Sequence, residues 1–168
     1  MPSKGKNKGN TGERHIADFL TKSFGEKFMR VPNSGALLGG SNAHRKQHLD
    51  EHQISMFKSD IIPPASMRKL VVESKFYSEF PFHKLMQNNA IPQLDKWIKQ
   101  CTDTQDVDDF WLVVIRINRK GTFAVFDACW LPQLEVTNHV RYFSYVVCDW
   151  TSLITHNIQV IRRICETT

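Results

Sequence analysis

The chain has no CxxC pair and no two cysteines close in sequence; its four, Cys101, Cys129, Cys148 and Cys165, are scattered through the second half. That pattern excludes a disulfide framework and a zinc ribbon, and predicts reduced, mostly buried thiols in an intracellular protein. Long apolar runs are also missing. Nothing approaches the roughly 20 residues that span a bilayer, and the N-terminus lacks the apolar core of a signal peptide. There are no internal repeats. Excess acidic charge is absent, but the positive charge is unevenly spread. Residues 1–46 carry nine Lys/Arg against three Asp/Glu, whereas the other 122 carry thirteen against fourteen. A basic first quarter suits contact with phosphates, or a solubilising tail. With 168 residues, 41% hydrophobic and 23% charged, the chain is long and apolar enough for one domain with one core.

Residues 1–9 show no periodicity and are predicted to form a flexible basic arm carrying Lys4, Lys6 and Lys8, ahead of a single domain over 10–168. Asn10 followed by Glu13 resembles a capping box, and Ile16, Phe19, Leu20 and Phe24 recur at helical spacing, predicting a helix over about 11–24 that ends near Gly25. Phe28 to Val31 reads as a short strand stopped by Pro32. Residues 36–55 read as a long loop, containing Arg45 and Lys46. His44, His48 and His52 fall at i, i+4, i+8, but with no cysteine or further histidine nearby a polar loop is preferred to a zinc site.

Strands are predicted over Met56 to Ile62 and Lys69 to Phe76, a helix from Pro92 with Leu94, Trp97, Ile98 and Cys101 on one stripe, and a doubly covered strand over Phe110 to Ile117. A hairpin returns through Thr122 to Asp127, a strand follows over Tyr142 to Cys148, and an amphipathic helix closes the chain through Leu153, Ile154, Ile158, Ile161 and Cys165. The class is α/β: a mixed central sheet flanked by helices.

Glu73 and Lys75 lie two apart on the apolar strand begun by Leu70-Val71-Val72, so both project from one face. Two charges there are costly unless the face opens onto a site. Asp60 ends the preceding strand, and a short turn could bring it beside Glu73. Carboxylates with a strand carbonyl make an oxygen-only donor set suited to Mg2+ or Mn2+. The plain alternative is a surface hairpin with Glu73 and Lys75 in solvent. Phe76, Tyr77, Phe80 and Phe82 offer base stacking, a dimer contact or an ordinary hydrophobic flank.

Asp60 and Glu73-Ser74-Lys75 together resemble the PD-(D/E)XK nuclease motif, with Ser59 where its proline commonly stands. Lys8-Gly9 before Gly12-Glu13-Arg14, and Arg30-Val31-Pro32-Asn33-Ser34-Gly35 after it, look like the N-terminal region of the archaeal-type Holliday junction resolvases of that superfamily. The likeness runs from about residue 4 to 127. It implies a restriction-endonuclease-like core and a Mg2+-dependent enzyme of DNA recombination and repair. Acting as a homodimer, it would place paired nicks in four-way junctions and leave 5′-phosphates.

By the same resemblance, Glu13, Asp60, Glu73 and the Ser74 carbonyl would serve the metal, and Lys75 would position or activate the attacking water. Ser34 would lie beside the scissile phosphate, Arg14 and Arg30 would hold neighbouring phosphates, and Gln93 would support the site from its helix. The roughly twenty extra residues between Gly35 and Asp60 depart from the usual connection. Another PD-(D/E)XK nuclease acting on duplex or flap DNA, or a non-catalytic DNA-binding protein with a vestigial site, is the alternative.

Overall fold

The structure, a computed structural model, describes residues 4–31, 59–103 and 105–166, with side chains from Thr11 onward. Its elements run α1 (Lys4–Phe24), β1 (Met29–Arg30), β2 (Ile61–Ile62), β3 (Leu70–Tyr77), α2 (Phe82–Met86), α3 (Pro92–Thr102), β4 (Phe110–Ile117), β5 (Gly121–Asp127), β6 (His139–Tyr142), β7 (Tyr145–Asp149) and α4 (Trp150–Cys165). Five strands form one sheet in the order β3-β4-β5-β7-β6; β3 and β4 are parallel and every other pair is antiparallel. β1 and β2 form a separate antiparallel ribbon.

The sheet is covered on both faces, and the period-2 alternation of its strands shows why. On β4, Phe110, Leu112 and Val114 join α1 and α4 in one core, while Trp111, Val113, Ile115 and Ile117 join α2 and α3 in another. β3 divides the same way, with Leu70 and Val72 on the first face and Val71 on the second. α4 lays Leu153, Ile154, Ile161 and Cys165 on the sheet, so its apolar stripe is spent inside the molecule. Arg162 of α4 pairs with Glu26 and donates from Nη2 to the Phe24 carbonyl at 2.5 Å, closing the C-terminal helix onto the end of α1.

Two expectations need correcting. α1 starts at Lys4 rather than near residue 11, so residues 4–9, expected as an arm, have helical backbone, and Asn10 and Glu13 are interior rather than a capping box. Three interior glycines (Gly5, Gly9, Gly12) cost about 1 kcal/mol each. Burial of Ile16, Leu20 and Phe24 returns about 1.5–3 kcal/mol per side chain and fixes the helix, from which each further turn propagates without a new nucleus. Second, the stretch expected as one strand over 142–148 is the β6–β7 hairpin, turned at Phe143, whose φ is +51°. Phe80 and Phe82 follow the hydrophobic-flank reading: Phe82 meets Phe80 and Phe123 edge-on, and Phe80 stacks on Trp97. The predicted end of α1 holds, with Gly25 at φ +70° donating to the Thr21 carbonyl. The 36–55 loop, with Ser34, Arg45, Lys46 and the three histidines, lies outside the described residues.

Candidate active site at the β3 edge

β3 is an outer strand of the sheet, and Asp60 lies along its open side. The Asp60 amide donates to the Val72 carbonyl at 3.1 Å, and Asp60 Oδ2 accepts from the Ser74 amide at 2.8 Å. One residue thus satisfies two successive outward-facing groups of β3. Its own carbonyl accepts from Val31, which joins the β1–β2 ribbon to the sheet. Ser59, in the place where the motif commonly has proline, fixes the turn differently: its hydroxyl donates to the Ile61 carbonyl at 2.7 Å.

Glu73 is buried on the α3 face, and its Oε1 accepts from Lys75 Nζ at 2.6 Å and from Gln100 Nε2 at 2.8 Å. Lys75 also donates to Gln100 Oε1 at 3.0 Å, so the three side chains form a closed triangle. From the opposite face α1 brings Glu13, carried beside β3 where a Cβ on Gly12 would stand 4.0 Å from Ser74 Oγ. Arg30 Nε lies 2.9 Å from Glu13 Oε2, but its N–H is not aimed at that oxygen and has no hydrogen-bond partner among the described residues. The pair is held by charge, without a directed bond.

Electrostatics tie these groups into one site. Burial, and then repulsion from Asp60, push Glu13 up to about 7; Arg30 and Lys75 oppose the shift. Burial and Asp60 likewise push Glu73 up to about 7, against the pull of Lys75 and with a further push from Glu13. Three carboxylates therefore feel one another at a sheet edge, with one lysine and one arginine set against them. Surplus negative charge of this kind fits a cation. Among the described residues no three His, Cys, Asp or Glu converge closely enough to hold an ion. The donor chemistry nevertheless fits a hard divalent metal, since Asp60, Glu73, Glu13 and the Ser74 carbonyl offer oxygen alone.

Of the residues expected at the site, Glu13, Arg30, Asp60, Glu73, Ser74 and Lys75 are brought together. Arg14 is exposed on α1. The structure places Gln93 elsewhere: its amide donates to the Tyr77 hydroxyl at 3.2 Å, and Gln100, two turns further along α3, is the glutamine that reaches Glu73. The signal for Gln100 was its place beside Cys101 and one turn past Trp97, at the edge of the stripe that faces the sheet. Lys4, Lys6 and Lys8 fall on the first two turns of α1, where the backbone alone is described.

A mixed sheet between two helical layers, with an Asp, a Glu and a Lys converging at the edge of one strand, defines the PD-(D/E)XK class of nuclease cores. A family model described as "Phage putative PDDEXK endonuclease" matches residues 4–162, and the chain belongs to that family. The match reaches through β6, β7 and most of α4, which carried no recognisable motif. No curated protein and no solved structure matches the chain.

Proposed function

We propose that the chain is a Mg2+-dependent DNA endonuclease that nicks four-way junctions in pairs as a homodimer. The observation that carries the nuclease chemistry is the electrostatic coupling of Glu13, Asp60 and Glu73 with Lys75 at the β3 edge. Junction selectivity is supported by the order of Gly12-Glu13-Arg14 and the segment from Arg30 to Gly35. Two copies related by a two-fold axis would suit opposed nicks, since one copy carries one site.

Asp60, Glu73, Glu13 and the Ser74 carbonyl would hold Mg2+ or Mn2+, which when bound supplies Lewis-acid polarisation of the phosphate and a more acidic water. Lys75 Nζ, steadied by Gln100, orients the attacking water and offsets charge growing on the phosphate oxygens. Glu73 Oε1 accepts from Lys75 Nζ and keeps it aimed. Arg30 and Arg14 would hold phosphates on either side of the scissile one and position the strand.

The test is incubation with a synthetic four-way junction, the same arms as linear duplex, and a flap, each with Mg2+, with Mn2+ and in EDTA. Paired nicks confined to the junction and dependent on metal support the proposal. Equal cutting of duplex or flap points to a different substrate for the same chemistry, and cutting in EDTA overturns the metal mechanism.

A further inference from the structure

Beside the catalytic edge lies a second feature, a cavity of about 450 Å3 between the first half of α1, the β4–β5 turn and the start of α4. Its lining combines three basic side chains, His15, Arg116 and Arg119, with two aromatic ones, Phe19 and Trp150, whose ring centroids are 5.8 Å apart. Gly12, adjacent to Glu13, also lines it, so cavity and catalytic edge share a wall. The sheet supplies the floor. Phe76, immediately after Lys75, pairs across β3–β4 with Arg116, which in turn pairs with Thr122 on β5. Successive residues of a strand project to opposite faces, so this row lies on the α1–α4 face, the side from which Glu13 approaches, and across the sheet from the Lys75 side chain.

No acidic side chain among the described residues lies within ion-pair distance of Arg116 or Arg119. Arg116 is half-buried, with its guanidinium 5.9 Å above the Phe76 ring. Asp149, the acid at the start of α4, turns its carboxylate to the Ser152 amide as a helix cap. A partly desolvated arginine without an anion is costly, and the cavity is large enough for more than a lone anion.

We propose that this cavity seats one nucleotide of the substrate strand beside the scissile position, with its phosphate on Arg116 and Arg119 and its ring or sugar against Phe19 and Trp150. The inference rests on the nucleic-acid reading above and gives that site a second point of attachment. Phosphate contacts of this kind fix register without reading sequence, and an aromatic wall accepts any base.

The experiment measures binding of a fluorescein-labelled four-way junction and of the matching duplex across a salt series, without divalent metal. The protein carries Asp60→Asn, so that cutting does not interfere. Each phosphate contact contributes about 0.9 to the slope of log affinity against log salt. Adding Arg116→Gln with Arg119→Asn (asparagine tolerates the +59° φ at that turn) should flatten the slope by about 0.9 and weaken binding at low salt. Arg141→Ala with Arg163→Ala, two exposed arginines elsewhere, should leave the slope within about 0.5 of the parent. Thr151→Trp, which fills the mouth without changing charge, should weaken binding with the slope retained. An unchanged slope in the cavity pair, an equal loss in the control pair, or undiminished binding by Thr151→Trp would each overturn the proposal. Failure of the parent to bind either DNA would instead remove the nucleic-acid reading beneath it. Thermal melts of each variant confirm folding, and Arg119→Asn alone, on an exposed turn, should still flatten the slope, by less than the pair does.

Discussion

Two buried polar clusters in this molecule are built on opposite plans. Around Asn157 on α4 every group is answered: Oδ1 accepts from the Glu135 amide at 2.6 Å, and Nδ2 donates to the carbonyls of Glu135 and Leu153, both at 2.8 Å. Tyr142 is similar, its hydroxyl donating to Asp95 at 2.6 Å and accepting from the Ile91 amide at 2.7 Å. At the β3 edge, by contrast, three carboxylates repel one another and an arginine N–H is left unaimed. Donors and acceptors that cancel hold a fold; charges that conflict hold a place for something else. Satisfied groups return about 1 kcal/mol per bond, whereas the strained edge gives up stability that a ligand can return.

The sharpest way to break this contrast is to remove the conflicting groups one at a time. Asp60→Asn and Lys75→Ala should each lower metal-dependent cleavage by about 10²- to 10⁴-fold; the melting temperature should stay unchanged or rise for Asp60→Asn, which removes a repelling charge, and fall for Lys75→Ala, which leaves Glu73 without its cation. Gln100→Ala should lower the rate less, and Gln93→Ala hardly at all, because only Gln100 touches Lys75 and Glu73. Single-turnover cleavage and a melt of each variant decide it; a fully active Lys75→Ala protein would place the chemistry elsewhere.

The mirror experiment is Asn157→Ala. It strips three hydrogen bonds and leaves the Glu135 amide and carbonyl without their partner, so unfolding should become easier by about 3 kcal/mol, a fall of roughly 6–12 °C in Tm. Cleavage per folded molecule should be unchanged. A loss of activity without loss of stability would erase the distinction between the two clusters.

The smallest effect is in pH. Glu13 and Glu73 titrate near 7 in the folded chain, against an ordinary 4.5. Between those values the folded form still holds protons that the unfolded chain has released. Stability in EDTA should therefore fall as pH rises from about 4.5 through about 7, then level off. Glu73→Gln should flatten that decline, and Mg2+ should raise Tm more at about pH 8 than at about pH 5.5. A Tm in EDTA that climbs across the window would show that the carboxylates are not in conflict.

The parts legible in the sequence are those with dense, regular patterns. β4 was bounded as predicted because all but one of its eight residues are apolar, and the Leu94, Trp97, Ile98 and Cys101 stripe located α3. Glu73 and Lys75 were legible because charge on an apolar strand is conspicuous. The β6–β7 turn was not, since Phe143 adopts a left-handed conformation that ordinarily advertises itself with Gly or Asn. The start of α1 was hidden by glycines and asparagines whose helicity depends on packing further along the helix. Gln100 was hidden because a glutamine on an amphipathic helix looks like any solvated residue until the sheet edge is placed beneath it.

Asp60 has a consequence outside catalysis. An outer strand with free amides and carbonyls is a template on which another molecule can add a strand, the first step of aggregation. Asp60 occupies that template at Val72 and Ser74 with its own amide and carboxylate. Asparagine there can still accept from Ser74 through its amide oxygen, so the strand stays covered. Alanine cannot, and Asp60→Ala should be recovered in a lower soluble fraction than Asp60→Asn although both are inactive. One residue thus both stands at the proposed metal site and covers the open edge of β3.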